Sequence, residues 1–457
     1  MSGEKSLAEV FWRNGYRLYA VGGYVRNGLL GLPCSDLDVA SRCPLEALED
    51  MARREGFSVA VVNRRLGTCK IRYGSLEAEH TCFRRESYGR GHAPEEAETG
   101  VTLREDAFSR DFTVNAIYRD LLTGELIDAT GRGLEDLACR RLRTTTKDPW
   151  EILGDDGLRL LRMVRFACEL NFRIDKGLFA CARANAAKLD EISPERVRDE
   201  LNRILLSDQK YGIHPMAHRK GLLLLKAAGL LERVVPELKA GRGMAQGSYH
   251  RYTVEHHAIM TCAEASPMLE LRLAGLLHDV GKPYVYWETG RFYGHDKRGR
   301  ELAEQILTRL RYPKALIGTV SSLVAMHMYD LDGRTSEKKI RRFAQRWGRE
   351  LFSLLPALRE ADFVGSGYEK RPIATAEKFR RIYRQMEERH VPFSARELEI
   401  SGEELLAMGY QGREVGQVLE YLLRCCAAKP GDNSRRRLLT LARQARQRGG
   451  MFAPQEK

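Results

Sequence analysis

The sequence predicts an α+β protein in which an N-terminal domain on a mixed β-sheet is followed by an all-helical remainder. Three observations carry that expectation. Residues 1–145 interleave short β-type runs with helical ones. Beyond Pro149 the strand signal fades and helix-period patterns take over, as in LRLLRMVRFACEL, ERVRDELNRILL and LELRLAGLL. A chain of 457 residues, 43% hydrophobic and 30% charged, has enough apolar material for two to four cored domains.

Composition excludes several classes. No apolar run reaches the ~18 residues that a membrane helix needs; the longest, Leu222–Leu231, is short and broken by Lys226. The opening MSGEKSLAEVFW lacks the basic, apolar, small-residue order of a secretory signal, so a cytoplasmic protein without a membrane partner is expected. Ten cysteines stand singly, apart from Cys425–Cys426, and no C-x-x-C pair occurs. That speaks for buried reduced thiols over disulfides or a cysteine zinc site. Lys and Arg outnumber Asp and Glu by 75 to 62, a net charge of +13, which favours a polyanionic partner.

In chain order, VGGYVRNGLLGLPCSDLDVAS, residues 21–41, is the richest stretch. Gly22–Gly23 lies between the strand-like YAV and a helical segment Tyr24–Leu30. Two glycines there let backbone N–H groups approach a phosphate, and the helix start adds a favourable dipole. Arg26, in the first turn, can reach the same anion. Asp36-x-Asp38 follows, and on a strand its two carboxylates share a face. Side by side they repel, and a divalent cation resolves the conflict; Mg²⁺ on one or two carboxylates plus substrate phosphates is the usual phosphoryl-transfer arrangement. A solvated strand end is the plainer alternative for D-x-D alone.

VVNRRLGTCKIRYG and LEAEHTCF read as strands joined at Gly74–Ser75. Glu77 and Glu79 fall on one face of the second, and both are candidates for a third carboxylate in a two-metal site. Glu86–Asp106, polar and glycine-rich with one proline, reads as a mobile loop. The chain divides into a head (1–146), a helical neck (147–210), a helical body (211–370) and a tail (371–457).

These motifs resemble the class II tRNA nucleotidyltransferases, the CCA-adding enzymes and their poly(A) polymerase relatives. The family's GG-x-V-R-D-x-L-L-G followed by D-x-D matches Gly22–Asp38 except at Asn27, where the family has Asp. R-D-F-T-x-N-A is unbroken as Arg110–Ala116, so the resemblance implies that Arg110, Asp111 and Asn115 lie beside the nucleotide's sugar and phosphates. EHTCFR is similar to the strand that supplies the third acid and favours Glu79. GDDGLRLLRMVRF resembles E-D-P-L-R-x-x-R-x-x-R-F, with Asp155 for Glu and Gly157 for Pro. It puts Asp156 and Arg159 at the base-reading pair, with Arg162 counted among the nucleotide-binding residues. Glu195 and Arg196 match the helix that supports the pair, and ISGEELLAMGYQGREVGQVLEYLL is similar to the tRNA-binding tail.

Three apart on a helix, Asp156 and Arg159 would share one face. The carboxylate accepts from the exocyclic amine of C or A, and the guanidinium donates to the neighbouring ring nitrogen. U and G would put a carbonyl against a carboxylate that cannot donate. The expected function is template-independent CCA addition to tRNA 3′ ends from CTP and ATP with Mg²⁺, the acceptor arm held by basic helices. Alternatives are a poly(A) polymerase, a split CC- or A-adding enzyme, or chiefly a phosphohydrolase.

The last alternative comes from YHRYTVEHHAIM, LLHDVGKP, YGHDKRG, VAMHMYD and READFVG, a pattern that resembles the HD-type metal phosphohydrolases. The resemblance implies His257, His278, Asp279 and Asp362 as ligands of a transition metal, with His256 as a neighbouring alternative to His257. His295 and His327 are further ligands or phosphate contacts. A retained HD fold serving only as a tRNA-binding body, its histidines inert, is the alternative. SEKKIRRFAQRWGRE and SRRRLLTLARQARQRGG read as basic helices, solvated or on RNA phosphates.

Overall fold

A computed structural model describes residues 3–34, 36–88, 94–247 and 250–447. They form two compact units, Met1–Pro236 and Glu237–Lys457.

The first unit opens on a seven-stranded sheet. Its strands are β1 (Leu18–Ala20), β2 (Asp38–Ser41), β3 (Ser58–Asn63), β4 (Thr68–Tyr73), β5 (Leu76–Cys82), β8 (Ile117–Asp120) and β9 (Leu126–Asp128), in the order β3-β4-β5-β2-β1-β8-β9. The sheet is mixed as expected: β2 and β5 run parallel, while the other pairs are antiparallel. Strand periodicity sorts β5, with Ala78, His80 and Cys82 buried and Glu77 and Glu79 exposed. Helices Gly3–Arg13 and Leu45–Glu55 bury Leu7, Phe11, Leu48 and Met51. The Phe11 ring stands 5.8 Å from that of His80. The helices thus cover the His80 face and leave the Glu79 face open.

Two sequence expectations change here. Residues 61–74 are not one strand, because the chain turns at Arg64–Gly67 between β3 and β4. Gly67 supplies a positive φ, and Asn63 accepts from the Leu66 N–H. The Gly74–Ser75 turn is where it was expected, linking Tyr73 to Leu76. The stretch read as a mobile loop is largely regular: β6 (Arg84–Tyr88) pairs with β7 (Pro94–Thr99), and helix Leu103–Ser109 follows behind a Thr102/Glu105 capping box. Residues 89–93 of that stretch lie outside the described residues.

The neck is built on helix Leu158–Glu169, buried along almost its whole length. Its packing runs past residue 210, since helix Ala217–Ala227 lies on it. Lys220 Nζ donates to the carbonyls of Ala167 and Phe172 and to Asn171. A Cβ at Gly221 would come within 2.6 Å of Ile204, so only glycine allows that approach.

The second unit is helical. Helices Val254–Glu264, Leu269–Leu277, Lys314–Met326 and Arg349–Gly365 form its centre, drawn together at Gly275 and Gly365 against the backbone of Thr261. Helices Gly402–Ala407, Arg413–Ala428 and Arg435–Gln447 close a separate small core around Leu405, Val418, Leu422 and Leu438. Residues 448–450 of the last basic stretch lie outside the described residues. Six of the ten cysteines are buried, while Cys34 and Cys139 are exposed. Among the described residues no helix is long and apolar enough to cross a membrane.

Candidate active site and metal centre

A cavity of about 560 Å³ in the first unit gathers most of the predicted site: Gly22, Gly23, Arg26, Asp36, Asp38, Arg110, Asp111, Asn115, Asp156, Arg159 and Arg162. Its floor is the β1–helix turn. Gly22 has φ +70, and a Cβ there would stand 3.5 Å from Asp38 Oδ2 and 3.9 Å from an Arg110 nitrogen. The missing side chain leaves a cradle between an acid and a base, sized for a phosphate oxygen.

The carboxylates meet at one end. Asp36 does not share a strand with Asp38, as the sequence suggested; β2 begins at Asp38 and Asp36 lies just ahead of it. Both still line the cavity. In the parallel β2–β5 register Asp38 stands directly opposite Glu79. Glu77, the other candidate for a third acid, instead accepts exposed hydrogen bonds from Arg72 at 2.7 and 2.9 Å. Burial first, then the charges of Glu79 and Asp36, push Asp38 up to about 6 against the pull of Arg110. Neighbouring carboxylates repel one another, and their hard oxygen donors are of the kind that divalent cations take.

Cations line the rest. Arg26 is buried and donates to Asn27 Oδ1 at 2.8 and 3.1 Å and to Asn115 Oδ1 at 2.6 Å. Asn27 in turn donates to the Pro33 carbonyl and the Tyr211 hydroxyl, so the residue that departs from the family pattern keeps Arg26 oriented without neutralising it. Arg110 is aimed by Asp106, 3.0 Å from its Nε, and by the Tyr118 hydroxyl, also at 3.0 Å. Tyr118 itself donates to Asp106. Asp111 accepts two bonds from Arg162 at 2.6 and 2.8 Å and one from Asn115 at 3.0 Å. Burial opposes its charge, but Arg162, Asn115 and Arg159 outweigh it and hold Asp111 at about 2.

At the neck side, Asp156 precedes helix Leu158–Glu169 instead of sitting on it, contrary to expectation. It lies one residue before the N-cap Gly157, in a local turn where Asp156 Oδ1 accepts from the Leu158 N–H at 2.9 Å. Oδ2 accepts from Arg196 at 2.6 Å, the supporting contact expected from the Glu195–Arg196 helix. Arg159 is fixed separately, donating to the carbonyls of Ile152 and Ser109 at 3.0 Å each. Both side chains line the cavity. Asp106, Tyr118 and Tyr211 were missed by sequence reasoning; Asp106, one helical turn before Arg110, is the one whose spacing carried a signal.

The second unit brings its own set together. The Nε2 atoms of His257 and His278 are 3.0 Å apart, and Asp362 Oδ1 is 3.0 Å from the former and 3.5 Å from the latter. His295 and His327 Nε2 lie 3.2 Å apart. Asp279 faces both sets, with Oδ2 3.3 Å from His257 and 3.2 Å from His278, and Oδ1 3.3 Å from His295 and 3.6 Å from His327. These are two ligand groups of three, joined by Asp279. The outer nitrogens of His278, His295 and His327 meet the carbonyls of Gly275, Phe292 and Val324 at 2.6–2.8 Å, which fixes each ring with Nε2 turned inward. Burial disfavours charge on His278, yet Asp279 and Asp362 lift it to about 10. Both carboxylates lie well below their ordinary range: burial is outweighed by the imidazoles and, at Asp279, also by Lys282, whose Nζ is 2.6 Å from Oδ2. Imidazole with carboxylate is a donor set that suits a transition metal. His256 is outside the cluster, its ring against Tyr252 at 4.7 Å.

Known proteins match this architecture. Residues 18–143 match the family model of the poly A polymerase head domain, 171–241 that of a probable RNA- and SrmB-binding site of polymerase A, and 247–363 the HD domain. The chain is 35% identical to the A-adding tRNA nucleotidyltransferase of Deinococcus radiodurans, covering 88% of this chain and 89% of that protein. It is also 35% identical to the CC-adding tRNA nucleotidyltransferase of Thermus thermophilus, over 89% and 88% of the two chains. A multifunctional CCA protein of Azoarcus shares 32% identity over 78% of this chain and 85% of that one. Among solved structures, the Bacillus stearothermophilus CCA-adding enzyme in complex with CTP has the same fold, with a TM-score of 0.69 at 22% identity over 97% and 96% of the chains. With its head and HD domains and these relatives, the chain belongs to the tRNA nucleotidyltransferase family and is an enzyme of that class.

Proposed function

We propose that this enzyme adds the nucleotides C, C and A to the 3′ end of tRNA from CTP and ATP, selecting each base with protein side chains. The observation that carries this reading is one cavity with acids at one end and a carboxylate–guanidinium pair at the other. Asp36, Asp38 and Glu79 would hold Mg²⁺, which when bound polarises the phosphoryl oxygens and favours the ionised 3′-hydroxyl. The Gly22–Gly23 turn, Arg26 and Arg110 hold and orient the triphosphate. The 3′-oxygen forms a bond to the α-phosphorus in line as the bond to pyrophosphate breaks. Asp111 keeps Arg162 in place beside the sugar.

Base choice falls to Asp156 and Arg159. One Asp156 oxygen is committed to the backbone and the other to Arg196, each with a lone pair left for an exocyclic amine. Because Arg196 and the Leu158 N–H hold Asp156, the carboxylate cannot turn away from a carbonyl presented by U or G. The decisive experiment incubates tRNA ending at the discriminator base with CTP, ATP or both, read at single-nucleotide resolution. Addition of CCA and nothing longer is expected. A product stopping at CC, addition of A only to CC-ended tRNA, or a long A ladder would replace this reading with a split enzyme or a poly(A) polymerase.

The convergence of His257, His278, Asp279, His295, His327 and Asp362 favours a second activity, phosphoester hydrolysis at a transition-metal centre in the HD domain. Metal held there would supply Lewis acidity toward the phosphoryl group. Metal analysis of the purified enzyme, with assays on a phosphomonoester and on 2′,3′-cyclic nucleotides, tests it. Metal-free protein that stays inert after metal is supplied would leave the domain a helical scaffold.

A further inference from the structure

The acids of the head close one cavity and open another. Asp36 lines both the nucleotide cavity and a second one of about 520 Å³, whose wall also carries Ser58, Lys70, Arg72, Glu77 and Glu79. This second cavity lies on the open face of the sheet. Strand register places Asp38 opposite Glu79, Glu79 opposite Lys70, and Lys70 opposite Ala60, so these residues form a single row across β2, β5, β4 and β3. Side chains opposite one another on one face are nearest neighbours. Lys70 therefore follows the third acid directly, two strand spacings or about 10 Å from Asp38.

Lys70 is exposed and, among the described residues, has no hydrogen bond or ion pair. Its strand neighbour Arg72 shows the ordinary fate of a cation on this face, bound to Glu77. A lysine beside the catalytic acids, held by none of them and facing a cavity bordered by the small side chains Ser58 and Ala60, is free to take an anion.

The direction of attack says which anion. In line displacement puts the entering and leaving oxygens on opposite sides of the α-phosphorus. The groups suited to the triphosphate and the base, Gly22, Gly23, Arg110, Asp156 and Arg159, all line the first cavity. The acceptor strand must then reach the acids from the other side. We infer that the open face of β3–β4–β5 seats the RNA 3′ end, with Lys70 on its last internucleotide phosphate. This rests on the nucleotidyl-transfer reading above.

The test compares wild type with Lys70→Ala, Lys70→Glu and Lys70→Arg on tRNA lacking CCA, and on the same tRNA with a neutral methylphosphonate at the 3′-terminal linkage. Loss of one exposed phosphate contact should raise KM for tRNA about fivefold in K70A and further in K70E, with K70R near wild type and KM for CTP unchanged. The salt dependence of tRNA binding should lose about one counterion in slope. The methylphosphonate should weaken wild type by a similar factor and K70A no further. If the two penalties multiply, or if KM for CTP rises instead of that for tRNA, the subsite is elsewhere. A wild-type enzyme that extends no tRNA defeats the nucleotidyl-transfer reading as a whole; an active wild type with an indifferent K70A defeats this subsite alone.

Discussion

The head and the HD domain each gather acidic groups for metal, and they do so by opposite means. In the head Asp38 and Glu79 stand opposite one another on neighbouring strands, with Asp36 just ahead of the first; burial, then the charges of Glu79 and Asp36, drive Asp38 up to about 6. In the HD domain six candidate ligands converge from five segments of chain, His278 and Asp279 being adjacent, and three of its imidazoles are locked by their outer nitrogens on backbone carbonyls. The first arrangement is incomplete by itself and suits a hard cation that arrives with a triphosphate. The second is a preorganised pocket, suited to a metal that stays.

The largest effect expected separates the two outright. Asp38→Ala should lower incorporation of labelled CTP and ATP at least about a thousandfold, while the metal content of the purified protein stays that of wild type. Asp279→Ala should do the reverse, emptying the HD centre of transition metal and leaving nucleotide addition intact. Loss of nucleotide addition in both variants would mean that the two centres are coupled, and the contrast drawn here would fail.

A second substitution sharpens what the head adds beyond metal. Asp156→Asn keeps the shape of the side chain but gives it a donor, so U can now be accepted. Discrimination of CTP over UTP, measured as the ratio of kcat/KM values, should fall by about 1–3 kcal/mol. An unchanged ratio would take base selection away from Asp156.

How legible each centre was follows from the same difference. Gly22–Gly23, Asp36 and Asp38 lie within seventeen residues, so local spacing exposed them before any fold was known. A third acid did not follow from spacing: Glu77 and Glu79 share a face, the family resemblance alone favours Glu79, and in the structure Glu79 stands opposite Asp38 while Arg72 binds Glu77. The HD ligands span more than a hundred residues and were recognised by resemblance alone; that Asp279 joins two groups is a matter of helix packing. The hairpin β6–β7 was hidden by a glycine- and proline-rich composition that reads as loop. The spacing of Asp156 from Arg159 fits a helix, while the sequence does not say that the helix starts only after Gly157.

The acids within the head also differ among themselves. Among the described residues no side chain donates to Asp38, whereas Asp111 is saturated by Arg162 and Asn115 and held at about 2. A carboxyl depressed on folding contributes stability that is present above its unfolded value near 3.9 and is lost as pH falls toward 2. Asp111 should therefore contribute up to about 2 kcal/mol at neutral pH. Urea midpoints of wild type and Asp111→Asn should differ at pH 7 and converge between pH 4 and 2. A gap that persists to pH 2 would mean that the residue acts through packing and not through its charge.

The smallest effect concerns how the open centre is kept in register. Arg110 must point at the Gly22 cradle, yet among the described residues its side-chain hydrogen bonds go to Asp106 and Tyr118 and not to the β1–helix turn. Its aim comes from behind, from Asp106 and the Tyr118 hydroxyl, and Asp106 also accepts from the Arg84 N–H at the foot of β6. Removing one such bond while its partners remain satisfied is worth about 1 kcal/mol. Tyr118→Phe should accordingly raise KM for ATP and CTP about fivefold while KM for tRNA stays unchanged, since the ring still fills the core beside Tyr19 and Phe83. Because Asp106 would keep its bond to Arg110, Asp106→Asn should give the larger rise. Equal, small changes in every kinetic constant would reduce the Asp106–Tyr118 pair to core packing. A rise confined to the nucleotides would show that the head's open site borrows from the β6–β7 hairpin the rigidity that the HD centre carries in its own ligands.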